Sequence, residues 1–93
     1  MSDEFFQALS NSYRREIIRL LKYRDMSAGE IVNNFAIAQP TISRHLDVLR
    51  KAEIVTSERK GTQIIYSLNR SMVKKMMLSL SELFECEGEK KNM

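Results

Sequence analysis

The sequence predicts a mainly α-helical fold carrying one two-stranded β-hairpin, with elements in the order α-α-α-α-β-β-α. Three observations predict it. Apolar residues recur at three- and four-residue spacing through the first half of the chain, the period of helices with one buried face. Over residues 54–68 the pattern changes, and β-branched and aromatic residues take over. Helical spacing then resumes in a broad apolar stripe from Val73 to Phe84. With no internal repeat and no linker, the 93 residues read as one domain, 1–93.

Phe5, Phe6 and Leu9 fit a first short helix ending near Ser10-Asn11-Ser12, three residues suited to cap the next one. Tyr13, Ile17, Leu20 and Leu21 follow as one buried stripe, with Arg14, Arg15, Arg19 and Lys22 largely off it. Arg24-Asp25 reads as the exit. Ser27-Ala28-Gly29-Glu30 is a capping-box pattern, in which hydroxyl and carboxylate each satisfy an orphan amide of the first turn. It opens a short helix burying Ile31, Val32 and Phe35. After a turn of about four residues, Pro40 stands in the first turn of the next helix, where its missing N–H costs nothing. Ile42, Leu46 and Leu49 supply that helix with its buried stripe. Two helices joined by a short turn are a helix-turn-helix, predicted over about 27–52.

Ile54-Val55-Thr56-Ser57 and Thr62 to Leu68 read as strands, with Glu58-Arg59-Lys60-Gly61 as a charged turn between them. This hairpin, at about 54–68, completes a winged helix-turn-helix. Asn69 caps a last helix at about 70–86, whose stripe is Val73, Met76, Met77, Leu80, Leu83 and Phe84.

Composition narrows the function. The formal charge is +3, unevenly spread: residues 82–93 hold four glutamates against two lysines, leaving +5 on residues 1–81. A basic body suits a polyanionic partner, because lysines and arginines near phosphates release condensed counterions. Cys86 stands alone and cannot form an intramolecular bridge. Residues 1–20 mix acidic and basic side chains with no continuous apolar run, so neither a secretory signal nor membrane insertion is predicted, and the protein is expected in the cytoplasm. No nucleophile–base pairing and no phosphate-cradling glycine loop stands out, and the expectation is not an enzyme.

With Ile42 turned inward, a step of about 100° per residue brings Leu46 and Leu49 to the core side and sends Arg44, Asp47, Val48 and Lys51 outward. Thr41 and Ser43 lie on the flanks, and His45 nearer the buried edge. If this helix enters a major groove its N-terminal turns lead, making Gln39, Thr41, Ser43, Arg44 and His45 the candidates to touch DNA. Glutamine can pair bidentately with adenine and arginine with guanine. Arg59 and Lys60, at the hairpin tip, suit phosphate or minor-groove contacts.

At these residues a resemblance becomes specific. Pro40-Thr41-Ile42-Ser43-Arg44-His45-Leu46, then Leu49-Arg50-Lys51-Ala52 and Val55, resemble the ArsR/SmtB-type repressors, as does the wing run Arg59-Lys60-Gly61 with Ile65-Tyr66-Ser67-Leu68. The resemblance covers about residues 5–84 and is closest to the metal-independent, SdpR-like autorepressor branch. It implies a repressor that binds a double-stranded operator through the helix-turn-helix and wing, and release by a sequestering partner protein. Metal-sensing relatives carry two cysteines where this chain has Ser27 and Gly29. Glu82, Glu85 and Glu89 share a helical face without a histidine, a poor transition-metal set. No metal and no cofactor is therefore expected.

The first and last helices are left over once the helix-turn-helix is covered, and exposing both would leave a large apolar patch. Phe5, Phe6, Leu9, Val73, Met76, Met77, Leu80, Leu83 and Phe84 are expected to pair across a two-fold axis, giving a homodimer that reads an inverted repeat. Two alternatives stay open: a metal- or redox-responsive repressor with a non-standard site, and a winged-helix module that binds protein. Glu53 departs from the glycine that relatives commonly place after the recognition helix. Either the helix runs on by a residue or Glu53 is strained.

Overall fold

A computed structural model of the chain describes residues 3–85. Helix α1 (Asp3–Leu9) ends where Ser10 folds back, its Oγ donating to the Gln7 carbonyl at 2.6 Å. Asn11 caps α2 (Ser12–Leu21), its Oδ1 accepting from the Tyr13 and Arg14 amides at 2.8 and 3.2 Å. Those amides have no partner within the helix. Ile17 and Leu21 are fully buried as expected, whereas Tyr13 stands at the edge of the stripe and stays exposed.

Between α2 and the helix-turn-helix lies a strand that the sequence does not predict, β1 (Met26–Ser27). Two residues are too few to show a period of two. It pairs antiparallel with β3 (Gln63–Leu68), placing Met26 opposite Tyr66 and Ser27 opposite Ile65. With β2 (Val55–Lys60) the order is β1-β3-β2, so the wing grows from a three-stranded sheet.

The capping box forms in full at α3 (Ala28–Val32): Ser27 Oγ accepts from the Glu30 amide at 3.2 Å and Glu30 Oε1 from the Ser27 amide at 2.8 Å. The helix is shorter than its apolar pattern suggests, and residues 33–38 make a longer connection than the expected turn. Local bonds end it. The Asn34 and Phe35 amides donate to the Ile31 and Val32 carbonyls at 3.0 Å, and Asn34 Nδ2 takes the Glu30 carbonyl at 2.9 Å. Phe35 still packs on the core from outside the helix.

Helix α4 (Gln39–Lys51) buries Ile42, Leu46 and Leu49 almost completely. Val48, expected to point outward, is half-buried and packs against the core. At its end the Ile54 amide donates to the Leu49 carbonyl at 3.0 Å and the Glu53 amide to the Arg50 carbonyl at 2.9 Å. This bond pair is the Schellman motif, and its apolar contact is the buried pair Leu49 and Ile54. It needs a left-handed residue, and Glu53 adopts φ 63°. Of the two outcomes expected for Glu53, the strained one occurs. Glu53→Gly should therefore raise the unfolding free energy by about 1 kcal/mol. Urea denaturation checks this, and an unchanged or lowered midpoint counts against strain at Glu53.

The first hairpin strand runs further toward the tip than predicted. Lys60 pairs with Gln63, so β2 includes Glu58, Arg59 and Lys60, and the turn is only Gly61-Thr62. Gly61 takes φ 65°, a conformation that two-residue hairpin turns require and glycine supplies without strain. Asn69 caps α5 (Arg70–Phe84) through the Met72 amide at 3.3 Å. The helix was expected to reach residue 86. It ends at Phe84, and Cys86, with Glu89, lies outside the described residues.

Candidate nucleic-acid interface

Helix α4 starts without a side-chain cap. Ala38 stands at the N-cap, and Pro40 occupies the first turn. The positive end of the helix dipole thus faces solvent beside Gln39, an arrangement that favours a phosphate. Gln39, Ser43 and Arg44 are exposed and Thr41 is half-buried. On the same helix Asp47 accepts from Arg50 Nη2 at 2.7 Å and from Lys51 Nζ at 3.2 Å. Those bonds, with Arg50 the larger cause, hold the Asp47 carboxyl below its usual range. Arg50 and Lys51 thus each give one donor to Asp47. Arg44 makes no hydrogen bond or ion pair among the described residues, so its donors stay available to a base edge.

His45 is placed differently from its expected companions. Only 9% of it is exposed, and its Nδ1 lies 3.1 Å from Nη1 of Arg14. Tyr13 stacks on the ring, with centroids 5.8 Å apart and planes at 28°. The ring is turned inward and bound to a side chain on α2, which leaves little of His45 exposed beside the other expected contacts. Burial, then the charge of Arg14, then that of Arg44, push its imidazole below the usual histidine range.

Arg59 and Lys60 are both exposed, on opposite faces of the strand. Successive residues of a strand point to opposite faces. Arg59 shares its face with Ile64 and with the buried Val55 at the strand's base, whereas Lys60 shares the other with Gln63 and Glu58.

Helices α1 and α5 hold the apolar residues picked out for pairing. Between them runs a groove of about 170 Å³ lined wholly by apolar side chains, among them Leu9, Val73, Met76, Met77 and Leu80. No residue of α5 is buried. Phe6, Met77, Leu80, Leu83 and Phe84 are exposed, Leu83 at 65% and Phe84 at 80%, and Leu78 adds an exposed side chain that the stripe did not include. Leu9, Val73 and Met76 are half-buried against the core. Phe5 differs from the other residues of this group: at 7% exposure it belongs to this chain's own core.

Among the described residues no three His, Cys, Asp or Glu side chains gather as metal ligands, and no helix is long and apolar enough to cross a membrane.

A helix-turn-helix followed by a β-wing is the winged helix-turn-helix architecture found in DNA-binding regulators. Residues 11–57 match the arsR family of bacterial regulatory proteins. The chain belongs to that family, whose members are transcriptional regulators rather than enzymes. It is 47% identical over 68 residues to the transcriptional repressor SdpR of Bacillus subtilis (strain 168), spanning 73% of this chain and 76% of that protein. It is 33% identical over 73 residues to an arsenical resistance operon repressor of Staphylococcus aureus, spanning 78% of this chain and 70% of that protein. An ArsR-like transcriptional regulator from Rhodococcus sp. RHA1 superposes with a TM-score of 0.78 at 28% identity, covering 86% of this chain and 76% of that one.

Proposed function

We propose that this chain is a cytoplasmic homodimeric repressor that reads an inverted-repeat operator with α4 and steadies the complex with its wing. The observation that carries this reading is the division of α4. Asp47 pairs with both cations of its C-terminal half, Arg50 and Lys51, while Arg44, next to Ser43, makes no hydrogen bond or ion pair among the described residues. The exposed apolar surface of α1 and α5 supports pairing, since a monomer would leave it in water. Similarity to SdpR, a repressor by name, favours repression over activation. Autoregulation and release by a sequestering protein follow from the branch that the chain resembles.

A metal-responsive reading takes some support from the arsenical-resistance relative. Against it stand Ser27 and Gly29, which offer no thiolate at the positions where metal-sensing relatives carry cysteines.

The test is operator binding by two variants. Arg44→Ala should weaken specific binding by about 1–3 kcal/mol and relax preference at one base position. Lys60→Ala should weaken all sequences alike and reduce the salt slope by about 1. Fluorescence anisotropy across a salt series separates the two effects. Wild-type behaviour in both variants would sink the assignment of the DNA face.

A further inference from the structure

Arg14 lies on α2, outside the expected DNA contacts, yet it joins three helices. Its Nε donates to the Ala8 carbonyl at 2.9 Å and its Nη2 to the Gln7 carbonyl at 2.8 Å, both near the end of α1. Its Nη1 reaches Nδ1 of His45 on α4 at 3.1 Å. A guanidinium has donors only and stays charged, so the imidazole must accept. The ring is therefore neutral and carries its proton on Nε2, an assignment made from the hydrogen bonding. Tyr13 stacked on the ring, with Phe35 edge-on to Tyr13 at 5.9 Å, limits its freedom to turn to another partner.

From this geometry we propose that Arg14 is a positioning residue for DNA reading, holding the recognition helix to α1 through neutral His45, and that protonating His45 uncouples the two. The proposal rests on α4 being the reading helix. Since α1 belongs to the surface proposed to pair, the clamp sets where each α4 lies relative to the two-fold axis. Two half-sites at fixed spacing demand such placement.

The charged groups around the ring make the uncoupling one-way. Arg14 and Tyr13 face it from α2, and Arg44 stands next to it on α4. From α1 come the carbonyls of Gln7 and Ala8, which Arg14 already occupies. Glu4 of α1 and Lys51 of α4 flank a groove further along that helix pair. A proton on His45 removes the Nδ1 lone pair and sets a cation against Arg14. With the imidazole held below the usual histidine range, the clamp is closed above about pH 6.5 and opens as pH falls further. The expected sign opposes simple electrostatics, for an added positive charge by itself tightens binding to DNA.

His45 is the only histidine in the sequence, so a pH series addresses it cleanly. A duplex is selected from a random library by the wild-type protein at pH 7.5. Affinities for it and for a scrambled duplex are then measured from pH 7.5 to 5.5, with circular dichroism confirming the fold. The selected-over-scrambled ratio should fall about tenfold on acidification in wild type. In His45→Gln, whose amide oxygen can accept from Arg14 but does not titrate, the ratio should be flat with pH. In Arg14→Ala it should be low and flat. A wild-type ratio indifferent to pH, or a fall in His45→Gln parallel to wild type, overturns the proposal, and that pair decides even if Arg14→Ala fails to fold. If no duplex is enriched, the DNA-reading assignment falls and takes this one with it. An enriched duplex whose ratio ignores both pH and Arg14 overturns the positioning role alone.

Discussion

Replacing Ile42 by Ala is expected to cost about 2–5 kcal/mol of folding stability, the range for truncating a large aliphatic side chain in a closed core. Ile42 has no exposed surface and stands on the same buried stripe as Leu46 and Leu49. Surrounding side chains cannot collapse fully into the space it leaves, so a cavity adds to the lost transfer energy. Domains of this size are stable by roughly 5–15 kcal/mol, and the change removes a large share of that. A drop in melting temperature of roughly 10–30 °C follows from the entropy of unfolding a short chain. Ser43→Ala, one residue along and exposed, should stay within about 0.5 kcal/mol of wild type. Both must be compared at one protein concentration, because association adds to apparent stability. An Ile42→Ala variant melting within a few degrees of wild type would mean that α4 is not anchored by this stripe.

That stripe belongs to the part of the fold that periodicity made legible. Ile17, Leu21, Ile42, Leu46 and Leu49 recur at helical spacing and are buried. The capping box at Ser27 and Glu30 is equally local, and it forms as read. Apart from the early end of α3, what escaped reading depends on partners distant in sequence. Strand β1 exists only because Met26 and Ser27 find Tyr66 and Ile65 some forty residues later. The extent of β2 is set by its register with β3, which carries Arg59 and Lys60 into the ladder and onto opposite faces. His45 shows the same limit at the site. A helical wheel puts it near the buried edge, but nothing local names Arg14 as its partner. Arg14 itself was visible only as a cation off the α2 stripe. Glu53 is the converse, since an expected glycine and a tight helix exit narrowed the outcomes to a longer helix or a strained residue, and the strained one occurs.

Exchanging both Leu80 and Leu83 for glutamine should convert the protein to monomer and weaken operator binding by roughly a hundredfold or more. Glutamine keeps high helix propensity and adds no charge, so α5 can persist and the electrostatics toward DNA are unaltered. What the exchange removes is apolar surface. Leu80 lines the groove between α1 and α5, and Leu83 stands next to the exposed Phe84 at the end of the helix. Two half-sites bound by linked subunits gain roughly 10²–10⁴ in avidity over one, and separated subunits forfeit it. Binding to a scrambled duplex, governed by phosphate contacts within each subunit, should change little by comparison. Lys75→Gln, an exposed position off the apolar stripe, is the control for the assembly. Sedimentation at micromolar concentration should give a dimer for wild type and the control, and a monomer for the double variant. A wild-type monomer, or a monomeric variant with undiminished operator affinity, would show that half-site pairing through α1 and α5 is not what brings α4 to DNA. If both changes arrive together, the exposed apolar face and the recognition helix are parts of one device: the first fixes the spacing at which the second can read.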